Sequence, residues 1–143
     1  LYKFATYVKW PEGAFADAKS PFVIGILGTD PVGADLRKIA AVKKIDGRKI
    51  EVRNFKNVKN IHGCHILFIS RAVKSETQAA GLKQLMERNI LFVGETRDFL
   101  KNGGVIDFVV QQNRVKIFIS KSAYEREHLE ISAKLLRVAT VVR

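Results

Sequence analysis

The chain has 143 residues, 47% hydrophobic and 27% charged, which fits a single domain over residues 1–143 and excludes a disordered tail. Its longest apolar runs, Phe22–Leu27 and Ile66–Ile69, are too short to cross a bilayer. Twenty-five Lys and Arg against fourteen Asp and Glu leave a net charge of +11, which directs attention to a solvated basic surface or an anionic partner.

The sequence opens on Leu1-Tyr2-Lys3-Phe4 and not on Met, so an upstream segment is expected to have been removed, and the compartment cannot be read from a leader. Residues 1–10 place Leu1, Phe4, Ala5 and Val8 on one helical face, with Trp10-Pro11 as the stop. Phe22–Leu27 is apolar on both faces, as a covered central strand is. Asp30 as N-cap and Pro31 at the first helical position then predict a helix to about Val42. Ile50 and Val52 alternate with Lys49, Glu51 and Arg53, so Arg48–Phe55 reads as a half-exposed strand near a sheet edge. His65–Ser70 is a second buried strand.

Ala79, Leu82, Leu85 and Met86 form the stripe of a helix over Glu76–Arg88. Ile90–Val93 is the next buried strand, and a short helix is expected from Thr96 to Leu100. Val105–Val110 and Arg114–Ile119 are joined by Gln111-Gln112-Asn113, too short for a parallel crossover, so they form an antiparallel hairpin. Periodicity draws the remainder, Ser122–Arg143, as helix with a capping box from Ser122 to Glu125. The expected fold class is α/β. It is a three-layer sandwich whose mostly parallel sheet has about six strands, ends in the hairpin and carries helices on both faces.

Motifs for chemistry are thin. Gly28 and Gly33 have the outer spacing of a phosphate loop, but Ala34-Asp35 stands where Lys and a hydroxyl residue are needed. His62-Gly63-Cys64-His65 gathers potential metal ligands without a second pair to complete a tetrahedral site. Cys64 and His65 are strand neighbours that point to opposite faces, which separates nucleophile from base. No Gly-x-Ser-x-Gly elbow occurs, and Asp30 lacks the acidic partner a phosphoacceptor domain requires. No catalytic residue, metal or cofactor is expected. Ligands of open α/β sheets bind beyond the carboxyl ends of strands, so Asp30, Ser70, Arg71 and Glu95 are the candidate small-ligand crevice.

The charge is concentrated between Arg37 and Lys59, where nine basic residues oppose Asp46 and Glu51. One aromatic, Phe55, interrupts that stretch, which argues against a stacking platform for nucleic acid. Solvation, an acidic protein face and an anionic membrane surface stay open as its role. In the C-terminal segment Leu129, Ile131, Leu135 and Val138 belong to an apolar arc wider than a helix on a sheet commonly buries. They are candidates for a partner or dimer surface, against the alternative of a helix packed deep on the sheet.

In order, Tyr2-Lys3-Phe4-Ala5, Tyr7-Val8-Lys9-Trp10-Pro11, Phe22–Pro31, Gly47-Arg48, Cys64–Ser70, Leu91–Glu95, Phe99, Gly103–Phe108 and Leu129–Ala139 together resemble the YfiR family of bacterial periplasmic proteins. The resemblance implies export to the periplasm and regulation without enzymatic activity. It also implies repression of an inner-membrane diguanylate cyclase by protein–protein contact, which lowers cyclic di-GMP and biofilm formation. A ligand-sensing input domain of a larger extracytoplasmic sensor is the alternative, and a homodimer a further expectation. Two positions depart from the family. Cys64 is the single cysteine, so an internal disulfide switch is ruled out. His128 stands where relatives often have Gly; from this a backbone break near His128 and a fresh helix from Ser132 are expected, against the periodicity.

Overall fold

The computed structural model describes residues 2–28, 32–96 and 98–143. Its elements are α1 (Tyr2–Thr6), β1 (Val8–Lys9), β2 (Phe22–Leu27), α2 (Val32–Val42), β3 (Lys44–Ile45), β4 (Arg48–Phe55), β5 (Ile66–Ile69) and α3 (Ser75–Leu85). They continue with β6 (Leu91–Gly94), β7 (Ile106–Gln111), β8 (Arg114–Ser120), α4 (Lys121–Arg126), β9 (Glu130–Ile131), α5 (Ala133–Val138) and β10 (Thr140–Val142).

One eight-stranded sheet runs β10-β8-β7-β6-β5-β2-β4-β3. Strands β4, β2, β5, β6 and β7 are mutually parallel, β7 and β8 form the antiparallel hairpin, and β10 adds to β8 in parallel. The expected α/β class and the mostly parallel sheet hold. The strand count is higher than expected, because the short edge strands β3 and β10 extend the sheet, and β1 and β9 pair separately as a two-stranded ribbon. The chain passes through α2 from β2 to β4 on one side of β2 and through α3 from β5 to β6 on the other; crossovers between parallel strands are right-handed as a rule, which directs the two helices to opposite faces.

The central strands are apolar throughout because both faces are covered: every residue of β2, β5 and β6 is buried. On one face Phe68 stacks on Phe108 at 6.1 Å, and Phe108 meets Phe4 of α1 at 6.3 Å. On the other, Phe99 is fully buried against Gly94 and Gly104, where a β-carbon would collide with its ring.

Four local expectations are corrected. The first helix stops at Thr6, well before Trp10, because Val8 and Lys9 pair with Ile131 and Glu130. Thr96–Leu100 is not a helix: the described residues of this segment form turns, with Phe99 N–H bonded to Thr96 O and Gly104 N–H to Phe99 O. The cap of α4 is Ser120 and not Ser122, since Ser120 Oγ accepts from Ala123 N–H at 3.3 Å. The C-terminal segment is not helical to its end: α5 stops at Val138 and Thr140–Val142 is a strand. The break at His128 is present, with φ of 59°, and Ser132 caps the fresh helix. The hairpin closes on Gln112 and Asn113, both with positive φ, as a tight two-residue turn demands. Asp30 and Pro31, expected to start α2, lie outside the described residues.

Candidate functional site

Strand β6 ends at Gly94, whose register partner on β7 is Asp107. Beyond this point β7 and β8 run on without β6 beside them. The turn segment after β6 folds back, held by Val105 N–H on Phe92 O and Gly104 N–H on Phe99 O. Over this overhang lies a cavity of about 320 Å³ lined by Glu95, Leu100, Asp107, Val109, Gln111 and Phe118. The strand period explains the set: residues 107, 109 and 111 share one face of β7, and Phe118 is the cross-strand partner of Asp107.

Two carboxyl groups dominate its polarity. Asp107 is 4% exposed, and among the described residues its Oδ1 has no hydrogen-bond donor. Burial, with the negative charge of Glu95 adding to it, pushes the Asp107 carboxyl up to about 7. Glu95 Oε2 is likewise buried without a hydrogen bond, although Arg71 Nε stands 3.5 Å away. That contact is electrostatic attraction without hydrogen-bond alignment, and Arg71 is largely in solvent. The floor behind the pair is well tied. Thr96 Oγ1 donates to Gln78 Oε1 at 3.1 Å, and the buried Gln78 donates to Val73 O at 3.0 Å.

The four residues expected to form the crevice are placed as follows. Glu95 forms a wall of the cavity and Arg71 attends it from outside. Ser70 is buried, and its Oγ accepts Ala72 N–H at 3.1 Å, serving the turn after β5. Asp30 lies outside the described residues. At the switch point between β2 and β5 the space over Gly28 is filled: a β-carbon there would stand 2.8 Å from Val73. Sequence reasoning missed Asp107. Its signal was a carboxylate between Ile106 and Phe108 in a strand next to Gly94-Glu95.

Other candidates separate. His65 is buried, stacked on Phe15 and Phe22, whereas His62 is exposed with its ring on Asn60 O. Cys64 is 5% exposed and burial pushes its thiol up to about 11. Among the described residues no group of three or more His, Cys, Asp or Glu is placed to hold a metal.

The four C-terminal apolar residues do not share one solvent-facing surface. Leu129 and Leu135 are buried in the core, Ile131, the register partner of Val8 in the β1–β9 ribbon, is half-buried, and Val138 is 72% exposed. The arc looked too wide for one face because the segment is broken into strand, helix and strand: Leu135 of α5 is buried, Ile131 of β9 is half-buried and all three residues of β10 are exposed. Exposed Val141 and Val142 lie on β10, the outermost strand of the sheet. In the basic stretch, Arg37, Lys38, Lys43, Lys44, Lys49, Lys56 and Lys59 are exposed. Arg48 is not free surface charge: it donates to Asp17 O and Ser20 O, both at 2.8 Å, and lies 3.9 Å over the Phe15 ring.

Among the described residues no helix is long and apolar enough to cross a membrane. A search of curated proteins returns no significant match. A family model described as YfiR/HmsC-like matches residues 1–140. With nearly its whole length in that match, the chain belongs to the YfiR/HmsC-like family.

Proposed function

We propose that the chain is an exported regulatory binding protein that holds a membrane diguanylate cyclase inactive by contact in the periplasm, lowering cyclic di-GMP and biofilm formation. The observation that carries this reading is the family match over residues 1–140. The use of polar groups supports it: buried His65, Gln78 and Glu127 are engaged in fixing loops and strand ends. A rigid scaffold of this kind suits recognition of a partner. Two exposed regions are available for contact. One is the basic lobe of α2, β3 and β4; the other is β10 with Val138, Val141 and Val142. Of the four apolar residues picked out by sequence, Val138 is the one a partner reaches without disturbing the core.

The test is cellular cyclic di-GMP in the native host with the gene present, deleted and restored. A rise on deletion that reverses on restoration is expected; no change while the gene is expressed overturns the proposal. A second reading, an extracytoplasmic ligand-sensing input domain, is favoured by the cavity at Glu95 and Asp107. It predicts unchanged cyclic di-GMP on deletion together with a small molecule that binds the purified chain.

A further inference from the structure

We infer that the cavity between Glu95 and Asp107 is a binding site for a small organic cation, a primary ammonium or amidinium group carried on an apolar body. The carboxyl groups reach one cavity from neighbouring strands whose register is set by the Gly94–Asp107 pair. Asp107 presents a buried oxygen without a hydrogen bond among the described residues, and the buried Glu95 Oε2 likewise has none, its one charged neighbour being the solvent-exposed Arg71 at 3.5 Å. A buried acceptor is ordinarily paired, and an acidic oxygen more insistently so, because burial without a partner penalises its charge. The group that meets both oxygens is a donor of several N–H bonds that carries positive charge.

The remaining walls define the body of that ligand. Leu100, Val109 and Phe118 are apolar, and aromatic rings attract cations at their faces. A volume of about 320 Å³ lies at the small end of ligand pockets, so the body is of single-ring size. An anionic ligand is opposed by the two carboxyl groups. A divalent metal asks for six or more oxygen ligands in the case of calcium, and no three candidate ligands converge among the described residues. With the chain at +11 overall, long-range attraction does not collect cations, so selection falls to this local pair.

Binding is coupled to protons. The groups facing Asp107 are Glu95 from the end of β6, with Arg71 behind it. Lys116 and Arg114 lie farther along the same face of β8, exposed; Asp98 and Lys101, also exposed, lie on the turn that carries Leu100. A proton on the buried Asp107 carboxyl removes the charge that the ligand's cationic head would meet, so affinity falls as pH is lowered.

The test uses the purified 143-residue chain, titrated at pH 8 with phenethylamine, benzamidine and n-butylamine by calorimetry and by amide chemical shifts. Matched controls are 2-phenylethanol, 3-phenylpropionate and calcium chloride. At least one of the three cations is expected to bind saturably, with shifts centred on residues 94–95, 107–111 and 118. Binding weakens at least ten-fold in Asp107→Asn and in Glu95→Gln, each checked for native circular dichroism, and weakens again at pH 5. No saturable binding by any of the three at millimolar concentration overturns the inference. So does equal binding of 2-phenylethanol, or binding that survives in both variants. Calcium producing the same shifts in place of the amines also overturns it, and makes the site a metal site. The readout is binding to the chain alone, so its failure is separate from any failure of the chain to repress a cyclase.

Discussion

His65 Nδ1 accepts the backbone N–H of Val23 at 3.0 Å. This fixes the tautomer, because the other ring nitrogen, Nε2, must then carry the proton that it shares with Ala14 O at 2.9 Å. The ring thus ties the start of β2 to the loop before it, in its neutral form only. Burial lowers the His65 pKa below its usual 6.5, with the charges of Arg48 and Arg53 acting in the same direction. The contribution of His65 to stability is full above pH 6.5 and is lost as pH falls through the lowered folded-state value. His65→Gln is expected to lose about 1–3 kcal/mol at pH 7.5. The gap between wild type and variant should narrow on moving from pH 7.5 to 5 in urea denaturation; a gap constant across that range contradicts the neutral bracket.

Asp107 has the opposite sign. Its folded-state value of about 7 lies above the ordinary 3.8, so its favourable contribution is complete below pH 3.8 and lost as pH rises through 7. Asp107→Asn is therefore expected to stabilise the unliganded chain by about 1–2 kcal/mol at pH 8, with the gain vanishing near pH 4. Thermal denaturation of both proteins at the two pH values measures it, and a destabilised variant at pH 8 counts against the strained carboxylate.

Glu127 is fully buried, and its carboxylate accepts the backbone N–H groups of Glu87, Arg88 and Ile90 at 2.8, 3.2 and 3.1 Å. Arg126 Nε closes the set at 2.8 Å. Glu87 and Asn89 have positive φ, so the loop between α3 and β6 takes a costly backbone path that this carboxylate supports. Glu127→Ala removes the acceptor from several donors at once and should cost about 3–5 kcal/mol. Glu127→Gln, which keeps one oxygen, should cost roughly half as much. Chemical denaturation distinguishes them, and two equal losses would contradict the multiple-acceptor role.

Gly94→Ala is expected to destabilise by about 1–3 kcal/mol through overpacking, since the new β-carbon would stand 2.5 Å from Phe99. Combining it with Phe99→Leu should give a smaller loss than the sum of the two single changes. Strict additivity in a double-mutant cycle would disprove the steric origin.

Cys64 should resist alkylation in the native chain. With its thiol near 11 and its side chain buried, only about one molecule in a thousand carries thiolate at pH 8. Iodoacetamide labelling is expected to follow unfolding in a urea series; fast labelling without denaturant refutes this.

Much of the architecture was legible because burial leaves local traces. β2, β5 and β6 are continuous apolar runs bounded by turn residues, and the short connection at Gln112-Asn113 leaves only a hairpin. The His128 break was legible through the family likeness and invisible to periodicity, for Ile131, Leu135, Val138 and Val142 keep helical spacing across three separate elements. Thr140-Val141-Val142 carried a warning in its β-branched composition. The ribbon of Val8-Lys9 with Glu130-Ile131 left no such trace, since each strand is two residues long and exists only through the other. The cavity was half legible for a similar reason. Glu95 follows a recognisable strand, whereas Asp107 gains its meaning from the register that sets it beside Gly94.

Phe99 lies on the bare backbone of Gly94 and Gly104, directly before Leu100 in the cavity wall and beside the strand end that carries Glu95. The ring is fully buried with no slack on its glycine side. A molecule that presses Leu100 outward therefore has to drag the ring, and with it the whole turn, or be refused.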